Sequence, residues 1–187
     1  MTLSPHAALI LVDVQQGFDH PTHWGTRNNP QAEERIAELL SAWRTAKRLV
    51  VHVHHHSVSS QSPLHPSQAQ GIAPKPCAQP IQGEPIIIKQ VNSGFIGTNL
   101  ELLLREYQIE QVVLCGFTTP HCVSTTTRMA SNLGFESYVV ADATVAYSTV
   151  GYDGVEHSAE AVHQSALAHL HQEFATVLAL ATLLPKL

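Results

Sequence analysis

The chain has 187 residues, 44% of them hydrophobic and only 13% charged, with a formal net charge of −5. That length suits one domain spanning residues 1–187 around one large core, and an acidic balance without a Lys/Arg cluster speaks against nucleic acid as a partner. No apolar run is long enough to span a bilayer, and the start, Met1 to His6, lacks the basic region and small-residue cleavage site of a signal peptide.

In chain order, Ala7 to Val12 is a continuous apolar run ending in Asp13. Continuous rather than alternating apolarity predicts a strand covered on both faces, hence a parallel sheet. A polar loop follows to Asn29. Asn29-Pro30 is expected to start a helix in which Ile36, Leu39, Leu40 and Trp43 share one face. Leu49 to Val53 predicts a second strand, running into His54-His55-His56. Ser57 to Glu84 is rich in Ser, Pro and Gln, and a loop of this length is usually functional or an interface arm. Pro85 to Ile88 is a third apolar run, ending in Lys89. Thr98 to Glu101 has the pattern of a capping box, and Leu100, Leu103, Leu104 and Tyr107 give the next helix its apolar face.

The fourth run, Val112 to Cys115, is broken by Gly116. Thr119-Pro120 then reads as an N-cap threonine followed by proline at the first helical position. Met129, Ala130 and Leu133 continue at helical spacing, and Gly134 sits where a left-handed C-cap belongs. Cys122 falls in the first turn, where unpaired amides and the helix dipole favour an anion, so its thiol is expected to ionise below the usual value of about 8.5. Ser137 to Ala141 forms a fifth strand ending at Asp142, Ser158 to His171 a helix, and Thr176 to Ala179 a sixth strand. Alternating strands and helices of this type imply a three-layer α/β/α fold with a parallel sheet and right-handed crossovers.

In such sheets ligands bind beyond the carboxyl ends of the strands. Asp13, Lys89 and the Cys122 turn each follow the end of a different strand, which puts a carboxylate, an ammonium and a thiol on one rim. That set suits nucleophilic catalysis: the thiolate attacks, Lys89 stabilises it by charge, and Asp13 takes and returns the proton. Singly, each has a plainer explanation, Asp13 as a turn acceptor, Lys89 as a solvated strand end and Cys122 as a small buried hydrophobe. Of the other two cysteines, Cys115 lies inside an apolar strand and Cys77 has no partner at metal-ligand spacing. An odd number of cysteines without a CxxC pair implies reduced thiols and a cytoplasmic setting.

Four segments carry a resemblance. They are Leu9 to Gln15, Ile88 to Thr98, Leu114 to Val123, and Val140 to Ala143. In this order, over almost the whole chain, they resemble the isochorismatase-like cysteine hydrolases, a group that includes nicotinamidases and carbamoyl-amide hydrolases. The resemblance implies an Asp13–Lys89–Cys122 triad on a six-stranded parallel sheet. It also implies a non-proline cis peptide at Phe117–Thr118, aiming the amides of Thr118 and Cys122 at one point as an oxyanion hole. With the cysteine present, it favours cleavage of an amide- or ureide-like C–N bond through an acyl-enzyme. The alternatives are vinyl-ether hydrolysis of the isochorismatase type with Asp13 as acid, and a non-catalytic α/β binding or scaffold protein.

Thirteen histidines invite a metal. His52, His54 and His56 would share one strand face, with His65 within reach from the loop, which makes His54 and His56 the weak candidates. Against this, no carboxylate stands at ligand spacing, and the aspartate of the nicotinamidase metal site has no counterpart, so no metal and no other cofactor is expected. His121 is adjacent to Cys122, but neighbouring helical side chains diverge, so it is expected to line a pocket or an interface. Phe18, Trp24, Phe95, Phe117 and Tyr147 follow motif ends on the same rim, where some would wall a planar substrate and each singly has core or dimer contact as its plainer explanation. Phe18, Trp24, Asn92, Phe95 and His121 are the residues expected to contact a small-molecule substrate. His163, His169 and His171 are expected to be solvated or interfacial. The apolar composition and the long loop point to a homo-oligomer, a dimer or a tetramer.

Overall fold

The computed structural model describes residues 3–187. Six parallel strands form the central sheet: β1 (Ala8–Val12), β2 (Val50–His55), β3 (Ile86–Lys89), β4 (Gln111–Phe117), β5 (Glu136–Val145) and, after a small hairpin of β6 (Thr149–Val150) and β7 (Glu156–His157), β8 (Thr176–Leu178). Their order is β3-β2-β1-β4-β5-β8. Strand order reverses between β1 and β4, which is where a parallel sheet opens a crevice at its carboxyl edge.

Helices cover both faces: α1 (Pro21–Trp24), α2 (Ala32–Thr45), α3 (Ala69–Ile72), α4 (Leu100–Glu106), α5 (Ser124–Asn132), α6 (Ala159–Leu170) and α7 (Leu180–Leu183). Alternate residues of β1 divide between two cores. Leu9 and Leu11 pack with Ile36, Leu39, Leu40 and Trp43 of α2. Ala8, Ile10 and Val12 pack with Leu100 and Leu104 of α4 and Leu167 and Leu170 of α6. Burial on both sides is why β1 and β4 read as unbroken apolar runs. Edge strand β3 departs from that pattern: Ile87 and Lys89 are buried, whereas Ile86 and Ile88 are half exposed, at 50% and 53%. No described helix is long and apolar enough to cross a membrane.

Several boundaries differ from the sequence reading. Asn29 adopts a left-handed φ of 43°, and α2 starts only at Ala32, because the Asn29 side chain is committed to the Ala141 and Thr144 carbonyls. The capping box does not form. Asn99 is the N-cap of α4 without a side-chain bond, and Thr98 Oγ1 instead donates to the Gly94 carbonyl at 2.6 Å. Tyr107 lies past the end of α4 and is 54% exposed, so it is not part of the apolar face. β5 runs on through Asp142 to Val145, and Asp142 accepts the Leu180 N–H at the start of α7 rather than serving the site. β4 does not stop at Gly116. It continues to Phe117 with a register shift against β5 between Leu114 and Gly116. Gly116 has φ 117°, and a Cβ there would lie 2.0 Å from the Val12 carbonyl oxygen. Only a glycine lets β4 approach β1 this closely at the crevice.

Candidate active site

Asp13 terminates β1 with φ 52°, a left-handed conformation that a non-glycine residue adopts at a cost of order 1 kcal/mol or more. Its amide donates to the Val53 carbonyl at 2.7 Å and its own carbonyl accepts from Gln15. The turn is pinned from the other side by the buried Gln15 side chain, which donates to the carbonyls of His55 and Ile72 and accepts from the His55 amide at 2.8 Å. The end of β1 is thereby locked to the end of β2.

Lys89 ends β3 directly across from His55 in register. Its ammonium donates to Asp13 Oδ2 at 2.7 Å, to His55 Nδ1 at 3.0 Å and to Cys122 Sγ at 3.2 Å. Those are the three donors an ammonium has. Both charged side chains are fully buried. Asp13 Oδ1 is buried without a hydrogen-bond partner among the described residues, and the thiol itself lies 3.8 Å from Asn92 Oδ1.

Cys122 sits on the far side of β4. The Phe117–Thr118 peptide is cis. Thr118, not Thr119, is the N-cap, and the first turn, Thr119–Val123, is wound as a π-helix before α5 continues. Within it His121 and Val123 both donate to the Thr118 carbonyl. The bulky Thr119 is tied down by His163, whose Nδ1 lies 2.9 Å from Thr119 Oγ1. His163 is therefore buried, at 2% exposure, and not solvated or interfacial.

Burial pushes the Cys122 thiol up to about 12, and the Asp13 charge adds to this, while Lys89 opposes it. The expectation of an easily ionised thiol is thus overturned: desolvation and a neighbouring carboxylate outweigh the start of a helix whose first turn is not α-wound. Burial also raises Asp13, against the pull of Lys89, and lowers His55 to about 4, with Lys89 and His56 acting in the same direction. His55 is therefore a neutral acceptor toward Lys89. Free Cys122 is expected to alkylate ever faster up to and beyond pH 9, with no plateau near 7–8; iodoacetamide labelling followed by mass spectrometry checks this.

These groups open onto a cavity of about 230 Å³. Phe18, Trp24 and Leu64 wall one part, and Asn92, Thr118 and His121 border the thiol. Phe18 stacks on Trp24 at 4.8 Å and on Phe117 at 5.1 Å, so Phe117 backs the wall rather than lining the cavity. Tyr147 supports it too, donating to the Phe18 carbonyl. Phe95 does not reach the cavity; it is buried in the core, stacked on Phe135 at 6.1 Å. His121 is held by Thr118, with Nδ1 3.0 Å from Oγ1.

His54 lies on the opposite sheet face, its ring 6.2 Å from that of His52, which in turn contacts Glu84 at 2.8 Å. Asp13, His55 and Cys122 each offer a ligand atom within 4.8 Å of the others. The position between them is held by the Lys89 ammonium, which bonds all three, so the cluster does not fit a metal cation. Nothing in the run His54-His55-His56 sets His55 apart; only the pairing of β2 with β3 puts its ring on Lys89.

A parallel α/β sheet whose strand order reverses at β1/β4 brings a carboxylate, an ammonium and a thiol together at that crevice. The chain belongs to the isochorismatase family, its residues 7–182 matching the Isochorismatase domain, and it is a hydrolase of that family. It is 48% identical over 171 residues to an uncharacterized isochorismatase family protein, YrdC, of Bacillus subtilis, covering 91% of this chain and 90% of the relative. It is 29% identical over 147 residues to maleamate amidohydrolase of Pseudomonas putida, covering 71% and 69%. A crystal structure of an isochorismatase-family protein from Chromobacterium violaceum superposes with TM-score 0.94 at 40% identity, covering 100% and 97%.

Proposed function

We propose that this hydrolase cleaves the C–N bond of a small amide- or ureide-like substrate, with Cys122 as nucleophile. The observation carrying this reading is the contact of Cys122 Sγ with the Lys89 ammonium beside a carboxylate oxygen that has no other partner. Proton transfer from Sγ to Asp13 Oδ1 accompanies attack of sulfur on the carbonyl carbon, since a thiol raised to about 12 is not ionised beforehand. The oxyanion forms toward the amides of Thr118 and Cys122. Collapse breaks the C–N bond, and Asp13 returns its proton to the leaving nitrogen. Water then gives a proton to Asp13 and its oxygen to the thioester carbon. The C–S bond breaks, and the thiol recovers the proton. Lys89 stays charged throughout and holds the thiol and the carboxylate in register. The amidohydrolase name of the Pseudomonas putida relative supports C–N chemistry.

The half-exposed Ile86 and Ile88, together with exposed Ile96 and Leu102, support a homo-oligomer. The test of the function is ammonia release from a panel of small primary amides and ureides, with intact-mass detection of an acyl group on Cys122. Turnover with no adduct on acid quench, and with vinyl ethers as the better substrates, would replace this reading by Asp13 acid catalysis.

A further inference from the structure

The cavity bordering Cys122 carries no lysine or arginine among its lining residues. Among the described residues, the cations around it, Lys89, Arg27 and Lys75, are already engaged. Lys89 has all three donors committed to Asp13, His55 and Cys122. Arg27 is paired bidentately to Glu33 at 2.7 Å on both nitrogens. Lys75 bonds Asp19 and lies 3.2 Å from Glu33. Both Arg27 and Lys75 also pack on Phe117, at 5.4 and 5.3 Å from the ring centroid. Phe117 stacks on Phe18, so an aromatic wall separates these two cations from the cavity. Burial would raise the Glu33 carboxyl, but Arg27 brings it down to about 2, so the guanidinium keeps a fully charged partner.

The remaining nitrogen bases are His55, held neutral with its pKa lowered to about 4, and His121, joined to Thr118. Asp13 lines the same cavity and keeps one carboxylate oxygen without a hydrogen-bond partner among the described residues. A substrate carboxylate would enter this space with no cation to receive it and a carboxylate already present, a desolvation and like-charge cost without compensation. An uncharged acyl group meets apolar walls from Phe18, Trp24 and Leu64 and neutral hydrogen-bonding partners in Ser57, Ser62 and Asn92.

We infer that the site selects substrates whose acyl portion is electrically neutral and excludes amides that carry a carboxylate beside the scissile bond. This rests on the proposed nucleophilic role of Cys122 and narrows it to a substrate class. A pair of alkylating probes of nearly equal size, neutral iodoacetamide and anionic iodoacetate, reads the selection without knowledge of the substrate. Rates at Cys122 are followed by mass spectrometry on the full-length protein at about pH 8, above the ordinary histidine range. The ratio of the two rates is divided by the ratio for 2-mercaptoethanol, which removes the intrinsic difference between the reagents. The expected normalised preference for iodoacetamide is about tenfold or more, the effect of one uncompensated like-charge contact at short range. Ser62→Arg, which adds a cation at the cavity rim, is expected to bring the preference to within about threefold of the free thiol. A normalised ratio near one in the unaltered protein overturns the inference and leaves the nucleophile standing. Failure of both reagents to modify Cys122 even at about pH 10, together with no acyl adduct on Cys122 from any amide of the panel, overturns the nucleophile and this inference together.

Discussion

Cys122→Ser is expected to lower kcat for amide cleavage by roughly 10³–10⁶-fold, the range seen when a covalent nucleophile is lost. Serine keeps the size of the side chain but raises the cost of ionisation, and the site offers little to offset it. Lys89 already carries its full set of bonds, and Asp13 is raised by burial but remains a weak base for an alcohol. Because Cys122 is only 8% exposed and near-isosteric with serine, the variant should fold, and its melting temperature should match that of the parent. Steady-state kinetics and a melting curve on the same preparation separate the two effects. A variant that retains most of its activity would remove the cysteine from the mechanism and favour Asp13 as the acid of a vinyl-ether cleavage.

Lys89→Met should act on stability as well as on turnover. It leaves the Asp13 carboxylate fully buried with no opposing charge, and breaking such a pair costs about 3–5 kcal/mol near neutral pH. The sign of the pH dependence follows from linkage. Without Lys89, burial holds the folded-state Asp13 far above its unfolded value of about 3.9, so the folded protein binds a proton that the unfolded chain releases. The deficit is therefore greatest at and above neutral pH and shrinks as pH falls toward 4. Urea titrations of parent and variant at pH 5 and pH 7.5 should show the gap closing at the lower value. A gap independent of pH would mean that lost packing, not the orphaned charge, is responsible.

Much of this architecture is written in local chemistry. The unbroken apolar run ending in Asp13 announces a strand buried on both faces, because in a parallel sheet both faces are covered. The positions of Asp13, Lys89 and Cys122 after three strand ends place them on one rim, since every parallel strand points its carboxyl end the same way. What a single sequence conceals is whatever depends on partners remote in the chain. Thr98 Oγ1 accepts the Leu100 amide rather than that of Glu101 and turns its hydroxyl to the Gly94 carbonyl, and Asn29 left the helix for β5. The thiol's acidity is set by burial and by Asp13, 109 positions away, rather than by its local helix start. Phe95 follows a motif end, yet it turns toward Phe135 and the core. His55 acquires its importance only when β2 and β3 are set side by side, bringing its ring to Lys89.

The lysine that contacts both the carboxylate and the thiol stands on one of the two edge strands of the sheet. β3 has four residues, pairs with a neighbour on one side only, and leaves two of its side chains half in solvent. Strands of that kind open at lower free energy than central ones. Separation of β3 from β2 would take Lys89 away from Asp13 and the thiol. The site is thereby tied to an edge strand, and loss of β3 pairing is expected to abolish activity before the central strands open, which hydrogen exchange at the β3 amides checks.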